Sequence, residues 1–508
     1  MLRGIPGIYA LKIHPDAGLS VAAAMAIRST LLIAAAAALL AGGCRESETG
    51  PLRVSAIGEP PRLLNPNRER LDPPSALVVE AVAQGLVRFD AAGEIEPALA
   101  QSWIVSDDGL RYTFRLRRTG WQSGGRVTAQ QVVARLRAAV SPASRNPLKP
   151  LLGVVGDIVA MTDEVLEISL RSPRPYFLQL LAQPELAIVR NGGGTGPYRA
   201  APLADGSLLL RLPAEEEEEE EAEADGRADL LLRGERSALA VARFLAGATD
   251  LVTGGTAGDL PLVRAGGVPA AAIAFDPAAG LFGLSFGTRD GMLADVEGRR
   301  ALSMAVDRAA IVSALAVAGL QSRATLVPAG AEELFAPATP AWAAQPLAMR
   351  RQAARSTVAR LSGGERIALR VAMPEGPGWR IVFAHLRRDW SLIGVDAVRV
   401  APAATADLRF IDEVAPAAGA GWYLRNFTCA RSRVCEPAAD EALAAAFSAV
   451  PAERRALVAK ANGLLTEAVA FIPIAAPVRW SLVAPRATGF RRNMFARHPL
   501  IDLVAEGS

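Results

Sequence analysis

EAVAQGLVRFDAAGEIEPALAQSWIVSDDGLRYTFRLRRTGWQSGGRVTAQQVV (residues 80–133) decides the fold. Two alternating runs, SWIVSD and LRYTFRLR, meet at Asp107-Asp108-Gly109. An Asp-Gly step between alternating runs predicts a tight hairpin, because such a turn needs residues that tolerate positive φ. Thr128 then precedes TAQQVVARLRAAV, with Gln131 three residues on. That spacing predicts a capping box and a helix. Upstream, FDAAGEIEPAL turns around Gly93, and Ser75 to Leu86 has helical spacing, with Leu77, Val78, Ala81, Val82 and Leu86 on one face.

Outward from this block, strands alternate with helices. LRVSAI (52–57) alternates like a first strand before the Pro-rich GEPPRLLNPN, and EVLEISL (164–170) alternates again. From 228 the order is ADLLLR, SALAVARFLAGA and TDLVTGG: strand, helix, strand. A second region opens at 281 with LFGLSFGT, the helix GRRALSMAVDRAAIVSALA and a Pro/Ala-rich stretch (326–346). Strand RIALRVAMP, a helix from Trp379 to Ile393 stopped by Gly394, and strands VDAVRV and DLRFID follow. After Pro451, Leu457, Val458, Ala461, Leu464, Leu465 and Ala468 stripe a long helix. The class is α/β in more than one lobe, without an internal repeat. Residues 215–221 are seven consecutive Glu, read as a solvated loop that lacks the spaced ligands and turn glycine of a calcium site.

The chain has 508 residues, 51% hydrophobic and 21% charged, which excludes wholesale disorder and a multi-span membrane protein. Lys+Arg minus Asp+Glu is 55 − 52 = +3, so no global field holds nucleic acid. AIRSTLLIAAAAALLAGGC (26–44) has a basic start, a short apolar run and small residues before Cys44. This is the layout of an export signal, with Met25 an alternative start. Its end resembles a bacterial lipobox, although Ala41 stands where Leu is preferred. The resemblance implies cleavage before Cys44 and a lipid on its sulfur, in the periplasm or cell envelope. Cys429 and Cys435, six positions apart, are then expected to pair in an oxidising compartment. A metal site would need more ligands than these two, so no metal and no cofactor is expected.

Two motifs tempt and fail. GLSFG (283–287) matches a nucleophile elbow at Ser285, but a hydrolase needs a histidine base, and only His385 and His498 follow the leader. A secreted serine hydrolase is therefore the remote alternative, and no catalytic residue is assigned. LSGGE (361–365) looks like the signature of a transporter ATPase, yet none of Lys12, Lys149 and Lys460 sits in a phosphate-cradling glycine loop. A helix end turning into a strand explains it.

Several blocks in order resemble the family 5 extracellular solute-binding proteins, the peptide- and nickel-binding components of ABC importers. They are Leu99-Ala100, Ser102-Trp103, Asp107 to Gly109, Tyr112, Phe114, Leu116-Arg117, Gly125 and Thr128-Ala129. GTGPYR (194–199), RRALSMAVDRAAIV (299–312), PAADEAL (437–443) and FIPIAAPVRWSLV (471–483) resemble later family blocks. The resemblance implies a two-lobed periplasmic-binding-protein-like fold with an extra domain, a hinge and a ligand cleft between the lobes. The implied division is signal peptide 1–43, lipidated tether 44–51 and lobe I from 52–72, 186–280 and 471–508. The extra domain takes 73–185 and lobe II 281–470.

The resemblance implies a lipid-anchored monomer that captures a peptide or similar solute and delivers it to a membrane permease and its ATPase, making no bond. A transport-independent envelope lipoprotein on the same fold is the alternative. Peptide-binding relatives place an acid just before a Trp in the region that matches 412–427. Here Ala417, Ala418, Gly419 and Ala420 precede Trp422 instead. The candidate ligand groups are Trp422 and Tyr423 for stacking and Arg409 and Arg425 for a carboxylate. Asp412 and, from lobe I, Glu59 complete the set.

Overall fold

The computed structural model describes residues 50–213 and 229–505, apart from 333 and 335. The leader, Cys44 and the Glu tract lie outside the described residues. In chain order β1 (Leu52–Ile57) and α1 (Pro73–Val82) precede a short hairpin, β2 (Val87–Phe89) and β3 (Ile95–Pro97). Next come β4 (Ala100–Val105), β5 (Arg111–Leu116), α2 (Ala129–Val140), β6 (Val155–Ala160), β7 (Val165–Leu170) and α3 (Phe177–Leu181). Then follow β8 (Arg199–Pro202), β9 (Leu208–Arg211), β10 (Leu230–Glu235), α4 (Ser237–Leu245), β11 (Leu251–Thr256), α5 (Leu260–Ala265) and β12 (Ile273–Phe275). The second region holds β13 (Gly280–Phe286), α6 (Val296–Ala305), α7 (Arg308–Leu315), α8 (Leu347–Ser362), β14 (Ile367–Ala372), α9 (Pro377–Ser391), β15 (Val395–Val400) and β16 (Leu408–Val414). The chain closes with α10 (Ala420–Arg425), α11 (Pro437–Ala445), α12 (Pro451–Glu467), β17 (Phe471–Pro473) and β18 (Arg479–Val483).

A seven-stranded sheet, in the order β12-β18-β11-β1-β10-β9-β8, forms lobe I. Its centre β1 runs parallel to both β10 and β11, which leaves the loop after β1 at the carboxyl ends of three strands. A five-stranded sheet, β15-β14-β16-β13-β17, forms lobe II. The chain passes between the two sheets at 276–279 and returns at 474–478, so β17 belongs to lobe II although it follows residue 470. A third sheet, β4-β5-β7-β6, carries the extra domain.

Local chemistry explains the block that opened the sequence. Gly109 takes φ +66°, and its amide donates to the Ser106 carbonyl to close the β4–β5 hairpin. Thr128 and Gln131 form the reciprocal capping box, and the Trp121 indole also donates to Gln131 Oε1 at 2.7 Å. The helix expected over 75–86 instead runs 73–82, capped at its start by Asp72, whose Oδ1 accepts from the Ser75 amide. It stops early because another segment takes its last carbonyls. Gly196 donates to Val82 and Tyr198 to Ala81. Gly196 must be glycine, since a Cβ there would lie 2.3 Å from the Ala81 carbonyl oxygen. Helix α1 also packs its Leu77, Val78 and Ala81 on lobe I with Tyr198, so the extra domain begins after it rather than at 73. LSGGE is the end of α8, where Gly363 adopts φ +65° before β14.

One core runs from lobe II through the junction into lobe I, joining Phe282, Trp379 and Trp390 to Trp480 and Val252. A separate core fills the extra domain around Phe114, Phe177 and Leu166. Cys429 and Cys435 are disulfide-bonded, as their spacing predicts. Among the described residues no helix is long and apolar enough to cross a membrane, and no group of three His, Cys, Asp or Glu could hold a metal ion.

Glu80 on α1 faces Arg497, Glu185, His498 and Arg88. Burial pushes its carboxyl up to about 7 from 4.5, against the pull of Arg497. Between those values the folded chain keeps a proton that the unfolded chain has released, so stability falls as pH rises. Glu80→Gln is therefore expected to raise the melting temperature above pH 7 and to leave it near parental at pH 4. A pH series of thermal melts checks this; a pH-independent difference would place the effect elsewhere.

Candidate ligand cleft between the two lobes

Two crossing segments join the lobes, and an ion pair spans the junction. Arg479, the first residue of β18 in lobe I, donates from Nη1 to both carboxylate oxygens of Asp412 (2.8 and 2.9 Å) and from Nη2 to its carbonyl (3.0 Å). Asp412 lies on β16 of lobe II. Burial pushes its carboxyl up, and the Arg479 guanidinium pulls it back. Arg323 ties the same place from a lobe II loop. Its Nη2 donates to the carbonyl of Gly280, the first residue after one crossing (2.7 Å), and its amide to that of Ile474 on the other. Gly280 can only be glycine, because a Cβ would stand 2.0 Å from the Glu413 carbonyl oxygen.

Further contacts close the lobes on each other. At the end of β11, the Gly258 carbonyl accepts from the Gly378 amide (2.8 Å) at the start of α9, and the Trp379 ring covers Gly258. On the extra-domain side, Gln183 Nε2 donates to the Pro416 carbonyl (2.6 Å), and Gln179 Oε1 accepts from the Ala418 amide (2.9 Å). Tyr176 lies against Gly419, where a Cβ would come within 2.4 Å of its ring. Ala417 is buried in the extra domain's core. Phe447 of lobe II meets Arg174 of the extra domain at 5.4 Å and Arg425 at 3.8 Å. The acid-free stretch before Trp422 thus has a packing reason: small residues let the extra domain approach.

The expected ligand groups divide accordingly. Asp412 is engaged by Arg479, so it serves the junction rather than a solute. Arg409 is exposed on β16, and its guanidinium donates to the Pro402 and Ala404 carbonyls of its own preceding loop. Arg425 stacks on Phe447. Tyr423 is 2% exposed, with its hydroxyl pushed up to about 12 by burial, and is core. Trp422 is half-buried and meets Tyr423 edge-on at 4.9 Å. Glu59 is exposed in the loop after β1, whose backbone rests on Gly234. Ser285 is a mid-strand residue donating to the Arg409 carbonyl (3.3 Å), not a residue on a turn.

Sequence reasoning missed Glu332. Its amide donates to the Ala418 carbonyl and its carbonyl accepts from Ala420 (both 3.0 Å), which sets it beside Gly419. Burial pushes its carboxyl up, and Oε2 is buried with no hydrogen-bond partner. No spacing in the sequence signals this bridge, because Glu332 and Gly419 are far apart along the chain.

Asp412→Asn leaves Arg479 without its carboxylate, and breaking such a buried pair costs about 3–5 kcal/mol. Urea unfolding is expected to show a loss of that order, with partial recovery in Asp412→Leu/Arg479→Met. Removing the extra-domain contacts in Gln179→Ala/Gln183→Ala is expected to enlarge the radius of gyration of the solute-free protein in small-angle scattering. An unchanged radius would mean that these contacts do not hold the lobes together.

Residues 94–224 match the family described as bacterial extracellular solute-binding proteins, family 5 Middle. A probable deoxycholate-binding periplasmic protein, YgiS of Escherichia coli, is 31% identical over 144 residues, 25% of this chain and 27% of its own length. The chain spans less than a third of the length of the first curated relatives it matches. Haemophilus influenzae OppA in complex with RPPGFSPFR shares the fold at a TM-score of 0.78 and 19% identity, over 90% of this chain and 99% of that one. Escherichia coli murein tripeptide binding protein MppA gives 0.77 at 20% identity over the same shares, and its unliganded open form 0.63. Residues 94–224 are thus similar to the family 5 extracellular solute-binding proteins of bacteria, and the two-lobed α/β fold around them is the one that OppA and MppA share.

Proposed function

We propose that this chain captures a peptide or a related small solute between its two lobes and delivers it to the permease and ATPase of an ABC importer. The observation that supports this most is the pair of lobes joined by two short crossings, in a chain whose middle matches the family 5 binding proteins. Such a hinge lets solute binding select the closed arrangement, with no bond made or broken. Glu59, Trp422 and Glu332 are the proposed solute contacts. An unpaired carboxylate held partly out of water is costly, so an ammonium on the solute would offset that cost at Glu332. The protein acts as a monomer held in the cell envelope by a lipid on Cys44.

Native mass spectrometry of the protein purified without Cys44 is expected to show a retained small-molecule mass that leaves on denaturation. Returning that solute at about 100 times its dissociation constant should stabilise the fold by about 2.7 kcal/mol. Glu332→Gln should weaken its binding while leaving the unliganded melting temperature unchanged or raised. An empty protein, with no thermal shift in peptide pools, would overturn the transport reading. For the anchor, Cys44→Ser is expected to move the full-length protein from the membrane fraction to the soluble one.

A further inference from the structure

Lobe II holds a cavity of about 450 Å³ that none of Glu59, Glu332 and Trp422 lines. Helices α6 and α8, the end of α12, strand β17 and the stretch around Trp342 wall it. Its apolar walls are Met304, Leu326, Trp342, Leu465 and Phe471. At its rim Arg300 is flanked by Glu297 and Glu467. The volume falls within the roughly 300–1,000 Å³ of small-molecule sites, which combine apolar walls with a few placed polar groups.

One end of the cavity is electropositive for a reason the hinge does not explain. Arg308, 7% exposed, lies directly behind three lining residues. Its Nε donates to the Pro473 carbonyl (2.7 Å), Nη1 to the Ser303 carbonyl (2.9 Å) and Nη2 to Ser303 Oγ (2.9 Å). Its guanidinium stands 5.2 Å from the Trp342 ring, with Arg350 at 5.5 Å from the same ring. No carboxylate pairs with Arg308 among the described residues. Asp389, an acid whose charge reaches it, is bonded to Arg351 and to the Asp307 amide. Burial, reinforced by the charge of Arg350, pushes Arg308 down to about 9. Ser303 accepts from Arg308, so its own proton is left to donate elsewhere.

We propose that this cavity is a second binding site, for a small aromatic or alicyclic monocarboxylate. The ring packs against Met304, Leu326, Trp342 and Phe471. The carboxylate accepts a hydrogen bond from the Ser303 hydroxyl, and its negative charge balances that of Arg308 behind that hydroxyl. Such a ligand satisfies the apolar walls and the isolated guanidinium together, which a neutral ring or an aliphatic cation does not.

The test uses the protein with 13C-labelled methionine methyl groups, the Met304 resonance being assigned from Met304→Leu. Benzoate, indole-3-acetate and naphthalene-1-acetate are titrated, with indole-3-acetamide as the uncharged control. At least one carboxylate should shift the Met304 methyl saturably, and indole-3-acetamide should bind about 10-fold more weakly than indole-3-acetate. Ala353→Trp, at an exposed rim position, should abolish the shift, and Ala324→Leu fills the cavity from another wall should the first variant lose its cooperative melt. Ser303→Ala should weaken the acid and spare the amide. No Met304 shift at millimolar concentration of any of the three acids overturns the proposal. So does a shift that survives both filling variants, and equal binding of acid and amide overturns the carboxylate assignment.

Discussion

Arg479 reaches across the junction of two sheets to grip Asp412, and the arrangement of the lobes depends on that grip. The guanidinium takes both carboxylate oxygens and the carbonyl of one residue, so it sets distance and angle together. Both partners are largely buried, and the bonds between them must offset a heavy loss of hydration. The junction around the pair is correspondingly tight. The Trp480 indole donates to the Thr256 carbonyl (2.8 Å), and its ring lies on Gly255, where a Cβ would come within 2.1 Å. Arg323 fastens Gly280, just after one crossing, to Ile474 on the other. The two sheets are therefore linked by only two short stretches of backbone, 276–279 and 474–478.

Away from that junction the lobes meet through small residues and backbone groups. Gly258 against Trp379 and Gly419 against Tyr176 are contacts that a single methyl group would prevent. Gln179 and Gln183 complete the extra-domain side by bonding lobe II backbone. Three of the polar groups expected to meet a solute are engaged by the protein itself: Asp412 by Arg479, Arg425 by Phe447, and Arg409 by its own loop. Among the described residues Glu59 is exposed, Trp422 is half-buried, and Glu332 keeps one carboxylate oxygen buried without a hydrogen-bond partner. The same logic marks the lobe II cavity, where Arg308 is held by carbonyls and a hydroxyl but, among the described residues, by no acid.

The sequence by itself determined the elements whose signals are local. The Asp107–Gly109 hairpin, the Thr128–Gln131 capping box, the Gly363 helix stop and the Cys429–Cys435 bond all depend on residues within a few positions of each other, and each is legible as a short pattern. The alternation of strands and helices carried the α/β class in the same way. Tertiary structure alone decided which polar groups the protein engages itself. Asp412 and Arg479 are 67 residues apart, and nothing near either shows that they bond. Helix α1 ends at Val82 because a segment more than ten residues distant captures its carbonyls. Glu332 meets Gly419, and Ala417 enters the extra domain's core, only once β16 has paired with β13, more than a hundred residues earlier in the chain. Local patterns follow from backbone geometry and solvent exposure, which neighbouring residues set. The state of a charged side chain follows from the partner that desolvates it, and in a two-lobed fold that partner comes from a distant part of the chain.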